Sequence, residues 1–245
     1  MTRALLLVLC TAALPALAFE GVIDTKMTVS GKEMQMTGTG TITIKGLNYR
    51  MDMDMNAPTG ATRMTSVVRA DQPGITYLFN DRSKTYQKLD ASKEGSDADW
   101  AKWKVKRLGK ETVAGRTTEH VQLQKDDNSD AMEVWVDTQL VSASDIAKSF
   151  SRGGGNGWWK ALEKAGLAGV PLKFVAHGKD GKEQAVWEAT KVTAKSVPSS
   201  TFDVPAGYTE GQGGFGAMGG GAMNKLTPEQ QKQLQEMMEK RQQAK

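Results

Sequence analysis

The chain has few residues of the types that enzymes commonly use. Its 245 residues include one cysteine and two histidines. The cysteine, Cys10, lies in an apolar N-terminal run, so the chain that follows has no disulfide and no Cys-based metal site. His120 and His177 lie far apart in the sequence, which leaves little for nucleophilic or metal-dependent catalysis. We therefore expect a protein that is not an enzyme and has neither a metal site nor a cofactor.

Charge and nucleotide-binding motifs are also scarce. The formal net charge is only +4, and the basic residues are spread along the chain rather than clustered as in a nucleic-acid-binding surface. No Walker A, G-x-S-x-G or H-E-x-x-H motif is present. The run Gly214 to Gly219 fits G-x-G-x-x-G by letter, but it does not lie between a strand and a helix. Nucleic acid is therefore not an expected partner.

Long hydrophobic runs are limited to the N-terminus. Arg3 precedes an apolar stretch that ends at Ala18, and Ala16-Leu17-Ala18 is a small-residue cleavage site. This order predicts a secretory signal peptide over residues 1–18, too short to span a membrane. Leu9 before Cys10 does not fit a lipoprotein signal. We expect a periplasmic or secreted protein of the bacterial cell envelope, with no membrane span.

Residues 47–56 carry the most informative pattern in the chain. Apolar and polar residues alternate strictly, which places Tyr49, Met51, Met53 and Met55 on one face of a β-strand. Methionine is flexible and polarizable, so a row of methionines suits an apolar surface that binds partners of variable shape. Seven of the 13 methionines fall between residues 27 and 64.

Short alternating runs separated by turn residues predict many antiparallel strands. We expect strands near residues 19–29, 33–45, 47–56, 63–70, 74–80, 84–90, 102–113, 116–125, 132–136, 171–177, 183–193 and 201–204. Two short helices are predicted late in the chain, at 144–150 and 158–165, with Gly166 ending the second. The expected fold is α+β and mainly antiparallel, an incomplete β-barrel of about eleven strands wrapped around short helices.

The C-terminal part has a different composition. Residues 211–224 are a glycine-rich stretch that predicts a flexible linker. Thr227, Pro228 and Gln230 then form a helix-start pattern, so residues 225–245 are predicted to be an amphipathic helix. The domain of interest would extend over residues 19–210.

Several segments resemble a family of secreted bacterial proteins, the domain-of-unknown-function 4412 family. The resemblance is carried by Tyr77 to Leu89, Gly109 to Gln122, Glu133 to Asp137, Gly169 to Leu172 and Phe202 to Tyr208. The closing Phe-x-x-Pro-x-Gly-Tyr is also similar to the periplasmic lipoprotein-carrier (LolA/LolB-like) superfamily. This resemblance implies an incomplete barrel around helices, with a concave apolar cavity that in some members holds acyl chains.

These observations favour a non-enzymatic envelope module that holds a lipid or other hydrophobic ligand in a Met-rich concave face. The helix carrying Trp158 and Trp159 is expected to cover that face, either permanently or as a lid. The predicted ligand-binding residues are Met34, Met36, Tyr49, Met51, Met53, Met55, Trp158, Trp159 and Leu162. Two alternatives remain open: an interaction protein that engages a partner through its C-terminal helix, and Cu(I) buffering by methionine thioethers.

Overall fold

Twelve β-strands and two short helical segments make up the part of the chain that the computed structural model describes, residues 19–31, 35–58, 60–72, 74–90, 102–125, 131–140, 158–178 and 181–211. The strands are β1 (Glu20–Ser30), β2 (Gln35–Lys45), β3 (Asn48–Ala57), β4 (Gly60–Val68), β5 (Ile75–Asn80), β6 (Thr85–Asp90), β7 (Trp103–Val113), β8 (Arg116–Lys125), β9 (Ala131–Asp137), β10 (Val170–His177), β11 (Glu183–Ala194) and β12 (Thr209–Glu210). The helix α1 spans Trp158–Lys164, and a 3₁₀ helix spans Ser199–Phe202.

All twelve strands belong to one sheet. Their order is β12-β6-β5-β4-β3-β2-β1-β11-β10-β9-β8-β7, and every pair is antiparallel except β12 with β6. The pairing of β1 with β11 joins the two halves of the sheet and places Gly21 opposite Ala194. Strands β12 and β7 form the two edges, so the sheet is open in the described residues. The predicted mainly antiparallel, incomplete-barrel fold is confirmed, with twelve strands instead of about eleven.

Sharp turns connect neighbouring strands, as the sequence predicted. Ala114 and Gly115 join β7 to β8, and both have positive φ angles of 50° and 77°. Two consecutive left-handed residues match the twist of flanking antiparallel strands, which is why this turn type is common in two-residue hairpins. The local sequence therefore sets the register of β7 against β8.

The register defines two faces of the sheet. We call the side that carries Tyr49, Met51, Met53 and Met55 the methionine face, and the side that carries Arg50 and Asp52 the opposite face. Residues directly opposite each other in antiparallel strands share a face. Starting from Met55, cross-strand partners on the methionine face follow one row through Gly38, Met27, Trp187, Phe174, Val134 and Val121.

Helix α1 packs on the methionine face at its β7–β9 end. Its residues Trp158, Trp159, Ala161 and Leu162 are buried. Their hydrophobic cluster also contains Trp103, Val121, Leu123, Val134, Val136 and Leu167. The helix ends at Lys164, and Gly166 follows it with a left-handed φ of 72°. The guanidinium of Arg107 donates to the carbonyl of Ala165 at 2.8 Å. The predicted helix and its glycine stop are confirmed.

The segment after β11 covers the opposite face of β4–β6. Val197 and Phe202 are buried there together with Val67, Tyr77 and Phe79. The strand predicted near 201–204 is wrong, because a 3₁₀ helix occupies Ser199–Phe202 instead. Prolines on both sides of this stretch remove backbone N–H donors that a strand would need.

Several predicted segments lie outside the described residues. They are the signal peptide over 1–18, the helix at 144–150, the linker beyond residue 211 and the C-terminal helix at 225–245. Within the described ranges, no helix has the length and apolar character needed to cross a membrane.

Candidate functional site

The methionine row divides into buried and half-buried side chains. Tyr49 and Met53 are only 1% and 3% exposed, whereas Met51 and Met55 are half-buried. Met51 packs against the hydrophobic cluster formed by Ile23, Ile42, Ile44 and Tyr49. The two half-buried methionines are therefore the members of the row that have surface left for a ligand.

Met53 lies against a glycine on the neighbouring strand. Gly40 is its cross-strand partner, and a β-carbon added at Gly40 would fall 2.2 Å from the sulfur of Met53. The hydroxyl of Thr25 donates to the same sulfur at 3.9 Å. A missing side chain on β2 thus makes room for the thioether, which fills the core at this point.

The other predicted members of the site occupy separate places. Met36 is half-buried on β2 opposite Val29 of β1. Met34 lies outside the described residues. Burial raises the pKa of the Tyr49 phenol far above its ordinary value, so this residue is a neutral part of the core at all working pH values.

Trp158, Trp159 and Leu162 do not belong to the same hydrophobic cluster as Met51. They pack with residues of β7–β9, while Met51 packs against a larger cluster that extends from β1–β4 to β9–β11. Phe174 is partly buried and contacts both clusters, and its ring stacks on Trp187 at a centroid distance of 5.7 Å. The structure therefore brings the described members of the predicted site onto one face, in two groups bridged by Phe174.

A polar cluster on the opposite face of β7–β10 was not predicted. The ring of His120 stacks on Trp135 at 4.0 Å between centroids with an interplanar angle of 10°. Its Nδ1 lies 2.9 Å from Glu111 and its Nε2 lies 2.7 Å from Glu133. Lys173 places its ammonium 4.4 Å from the Trp135 ring centroid on the other flank.

Both histidines reach this cluster, although the sequence separates them widely. His177 Nε2 lies 3.4 Å from the second oxygen of Glu133. The two imidazoles are far apart in the sequence, yet both lie near the same carboxyl group, that of Glu133. Cross-strand pairing of β8 with β9 and of β9 with β10 brings them together. The spacing of the two histidines in the sequence does not predict this strand pairing.

Hydrogen bonding fixes the charge state of one carboxylate in the cluster. The indole N–H of Trp135 donates to Glu111 at 2.8 Å. This hydrogen bond, together with the nearby His120, lowers the pKa of Glu111 below its ordinary value. Across the described ranges, no three His, Cys, Asp or Glu residues are grouped so that they could hold a metal ion.

An open antiparallel sheet with an apolar, helix-covered face defines a class of β-rich proteins. Within this class, residues 19–208 match the family described as "Domain of unknown function (DUF4412)". The chain belongs to this family.

The search of solved structures found similarities to proteins that share little sequence with this chain. An uncharacterized conserved protein from Thermus thermophilus is 10% identical with a TM-score of 0.43, covering 77% of this chain and 90% of that one. MucB of Pseudomonas aeruginosa, solved in complex with MucA, is 14% identical with a TM-score of 0.43, covering 78% and 57%. A LolA superfamily protein from Nitrosomonas europaea is 10% identical with a TM-score of 0.35, covering 78% and 91%. No curated protein matches the chain.

Proposed function

We propose that this protein is a non-enzymatic binding module of the bacterial cell envelope that holds a lipid or another hydrophobic ligand on the methionine face. The observation that carries the proposal is the half-buried state of Met51 and Met55 beside a fully packed core. Their flexible side chains adapt to ligands of different shape. The predicted signal peptide over residues 1–18 supports an envelope location.

The apolar character of the face supports binding by burial rather than by polar contacts. The adjacent strands β2 and β3 carry Met36, Met51 and Met55. Gly38 lies opposite Met55 and has no side chain to cover the sheet there. Covering a few hundred Å² of acyl chain at about 25 cal/mol per Å² gives roughly 5–8 kcal/mol before the cost of association. Micromolar affinity requires about 8 kcal/mol net, and association itself costs at least about 4 kcal/mol, so this burial alone supports weak binding with a Kd of about 1 mM or more.

Helix α1 supports the proposal as a cover at the other end of the same face. Trp158, Trp159 and Leu162 are packed against the sheet in the described structure. Phe174 lies between this helix cluster and the methionine end, so an elongated ligand on Met51 and Met55 would approach Phe174 first. The indole groups then serve as a wall of the binding surface.

The proposal is tested with the purified protein lacking residues 1–18. Native mass spectrometry and lipid extraction detect co-purified lipid, and titration with a dansyl-labelled fatty acid measures affinity. Met51→Gln and Met55→Gln keep side-chain length but add polarity, so the double variant should bind at least about tenfold more weakly. Asp54→Asn is the matched control, because Asp54 lies between the two methionines on the other face.

Two outcomes would reject this function. A wild-type protein that carries no lipid and does not bind the dansyl probe has no hydrophobic site. Unchanged affinity in the methionine double variant would show that the probe binds elsewhere, and equal loss in this variant and in Asp54→Asn would show that the loss is not specific to the methionine face. Circular dichroism of all variants checks that the sheet is retained.

A further inference from the structure

The polar cluster on the opposite face constrains the number of protons that the His120 ring carries. His120 has both ring nitrogens within hydrogen-bond distance of carboxylate oxygens, at 2.9 Å from Glu111 and 2.7 Å from Glu133. A neutral imidazole carries one N–H and can donate to only one of them. The other nitrogen would then direct its lone pair at a carboxylate oxygen. Between two ionised carboxylates, both contacts are favourable only when His120 carries two protons.

The surroundings of His120 favour this cationic form. Glu111 on β7 and Glu133 on β9 are acidic, and the face of the Trp135 indole against which His120 stacks attracts a cation. On β10, Lys173 lies over the same indole and His177 lies 3.4 Å from Glu133. With two protons on His120, the cluster of His120, Glu111, Glu133 and Lys173 is neutral overall.

The lowered pKa of Glu111 adds to the same requirement. The hydrogen bond from Trp135 lowers the pKa of Glu111, which favours the carboxylate form that accepts an N–H from His120. Beyond the cluster on the same face, the next charged groups of β8 and β9 are Arg116 and Asp137, which pair with each other. Glu119 of β8 pairs with Arg107 and Lys110 of β7. No other titratable group in the described residues is hydrogen-bonded to His120.

We propose that the second proton on His120 ties β7, β8 and β9 together and makes this end of the sheet pH-sensitive. The proton holds Glu111 of β7 and Glu133 of β9 against one imidazole of β8. Loss of the proton as pH rises breaks one charge-assisted hydrogen bond and leaves the cluster with an excess negative charge. The β7–β10 end of the sheet is then more stable against local opening in mild acid than in mild alkali.

The effect reaches the other face through strand alternation. Glu133 and Trp135 point to the cluster, while Val134 and Val136 of the same strand pack in the cluster that contains α1. Loosening β9 therefore loosens the support under Trp158 and Trp159. The inference concerns local stability, so it does not depend on ligand binding and fails or succeeds separately from the proposed function.

Nuclear magnetic resonance tests the proton directly, because the chain has only two histidines. At about pH 6, both ring nitrogens of His120 should show the shifts of N–H groups. Hydrogen exchange of β8 and β9 amides, corrected for intrinsic rates, should lose about tenfold protection at the point where the ring signals show that His120 has lost its second proton. A neutral His120 ring at about pH 6 would overturn the proposal.

Glu111→Gln is the discriminating variant. The glutamine oxygen still accepts from Trp135, and its amide N–H donates to a neutral His120, so no second proton is needed. The pH dependence of protection should disappear while protection at about pH 8 is retained. His177→Gln is the control and should keep the pH dependence. The proposal is wrong if Glu111→Gln keeps the wild-type profile or if His177→Gln abolishes it.

Discussion

Replacing Gly40 with alanine tests how the methionine face is packed. A β-carbon at this position would lie 2.2 Å from the Met53 sulfur, 2.8 Å from the Asp52 carbonyl oxygen and 3.1 Å from the Thr25 hydroxyl. Distances this short force the sulfur to move and end the contact between Thr25 and Met53. Overpacking of this kind costs about 1–3 kcal/mol, so we expect Gly40→Ala to lower the free energy of unfolding by about 2 kcal/mol.

Gly38→Ala is the matched control on the same strand and the same face. Its β-carbon would lie 3.0 Å from the Asp54 carbonyl oxygen and 3.5 Å from the nearest Met55 side-chain atom. The crowding against backbone resembles that at Gly40, but no sulfur is displaced. Both substitutions restrict the unfolded chain equally. The difference between the two variants, about 1 kcal/mol or more, isolates the displacement of Met53.

A double-mutant cycle then identifies the partner. Met53→Ala alone removes a buried side chain and should cost about 2–4 kcal/mol. In that background Gly40→Ala no longer meets the sulfur, so the two changes should be less than additive by about 1 kcal/mol. Urea unfolding followed by tryptophan fluorescence gives each value by linear extrapolation. Additive costs, or equal costs for Gly38→Ala and Gly40→Ala, would refute the packing described for Met53.

Two further predictions concern charged groups. Burial alone raises the pKa of Asp52, but hydrogen bonds from Arg50 and Thr65 outweigh it and leave the pKa lowered. At neutral pH, the free energy of unfolding of the wild type should therefore exceed that of Asp52→Asn by about 1–2 kcal/mol. This difference should vanish as the pH falls below the ordinary carboxyl range, which urea unfolding at a series of pH values measures. Arg116→Met leaves the fully buried Asp137 without its cation, so it should lower the free energy of unfolding by about 3 kcal/mol. Asp137→Asn should lower it less. Thermal unfolding compares the two variants, and the reverse order would contradict this prediction.

Alternation of apolar and polar residues was sufficient to predict most of the sheet. Tyr49, Met51 and Met53 share a face because side chains alternate along any strand, so the sequence reports this directly. The α1 helix was also predictable from Trp158 to Gly166. The final strand near 201–204 was wrong because the prolines around it were not weighed against its apolar residues. The two-residue strand β12 is too short to leave a periodic pattern.

The candidate sites were less accessible to prediction than the fold. Burial of Met53 depends on Gly40 of a different strand, and only register places them together. His120 and His177 meet at Glu133 through two successive strand pairings, which sequence spacing does not encode. A side-chain cluster that spans strands distant in the chain requires the topology to be known first.

The pairing of the first strand with the eleventh delays completion of the sheet until late in synthesis. Gly21 emerges from the ribosome early, but its partner Ala194 follows 173 residues later, which at ordinary elongation rates is roughly ten to thirty seconds. The nascent sheet therefore carries an unmatched central strand for most of its synthesis, and such long-range contacts form slowly. During that interval the unfinished polypeptide is available to a chaperone or an export machinery that accepts only unfolded chains.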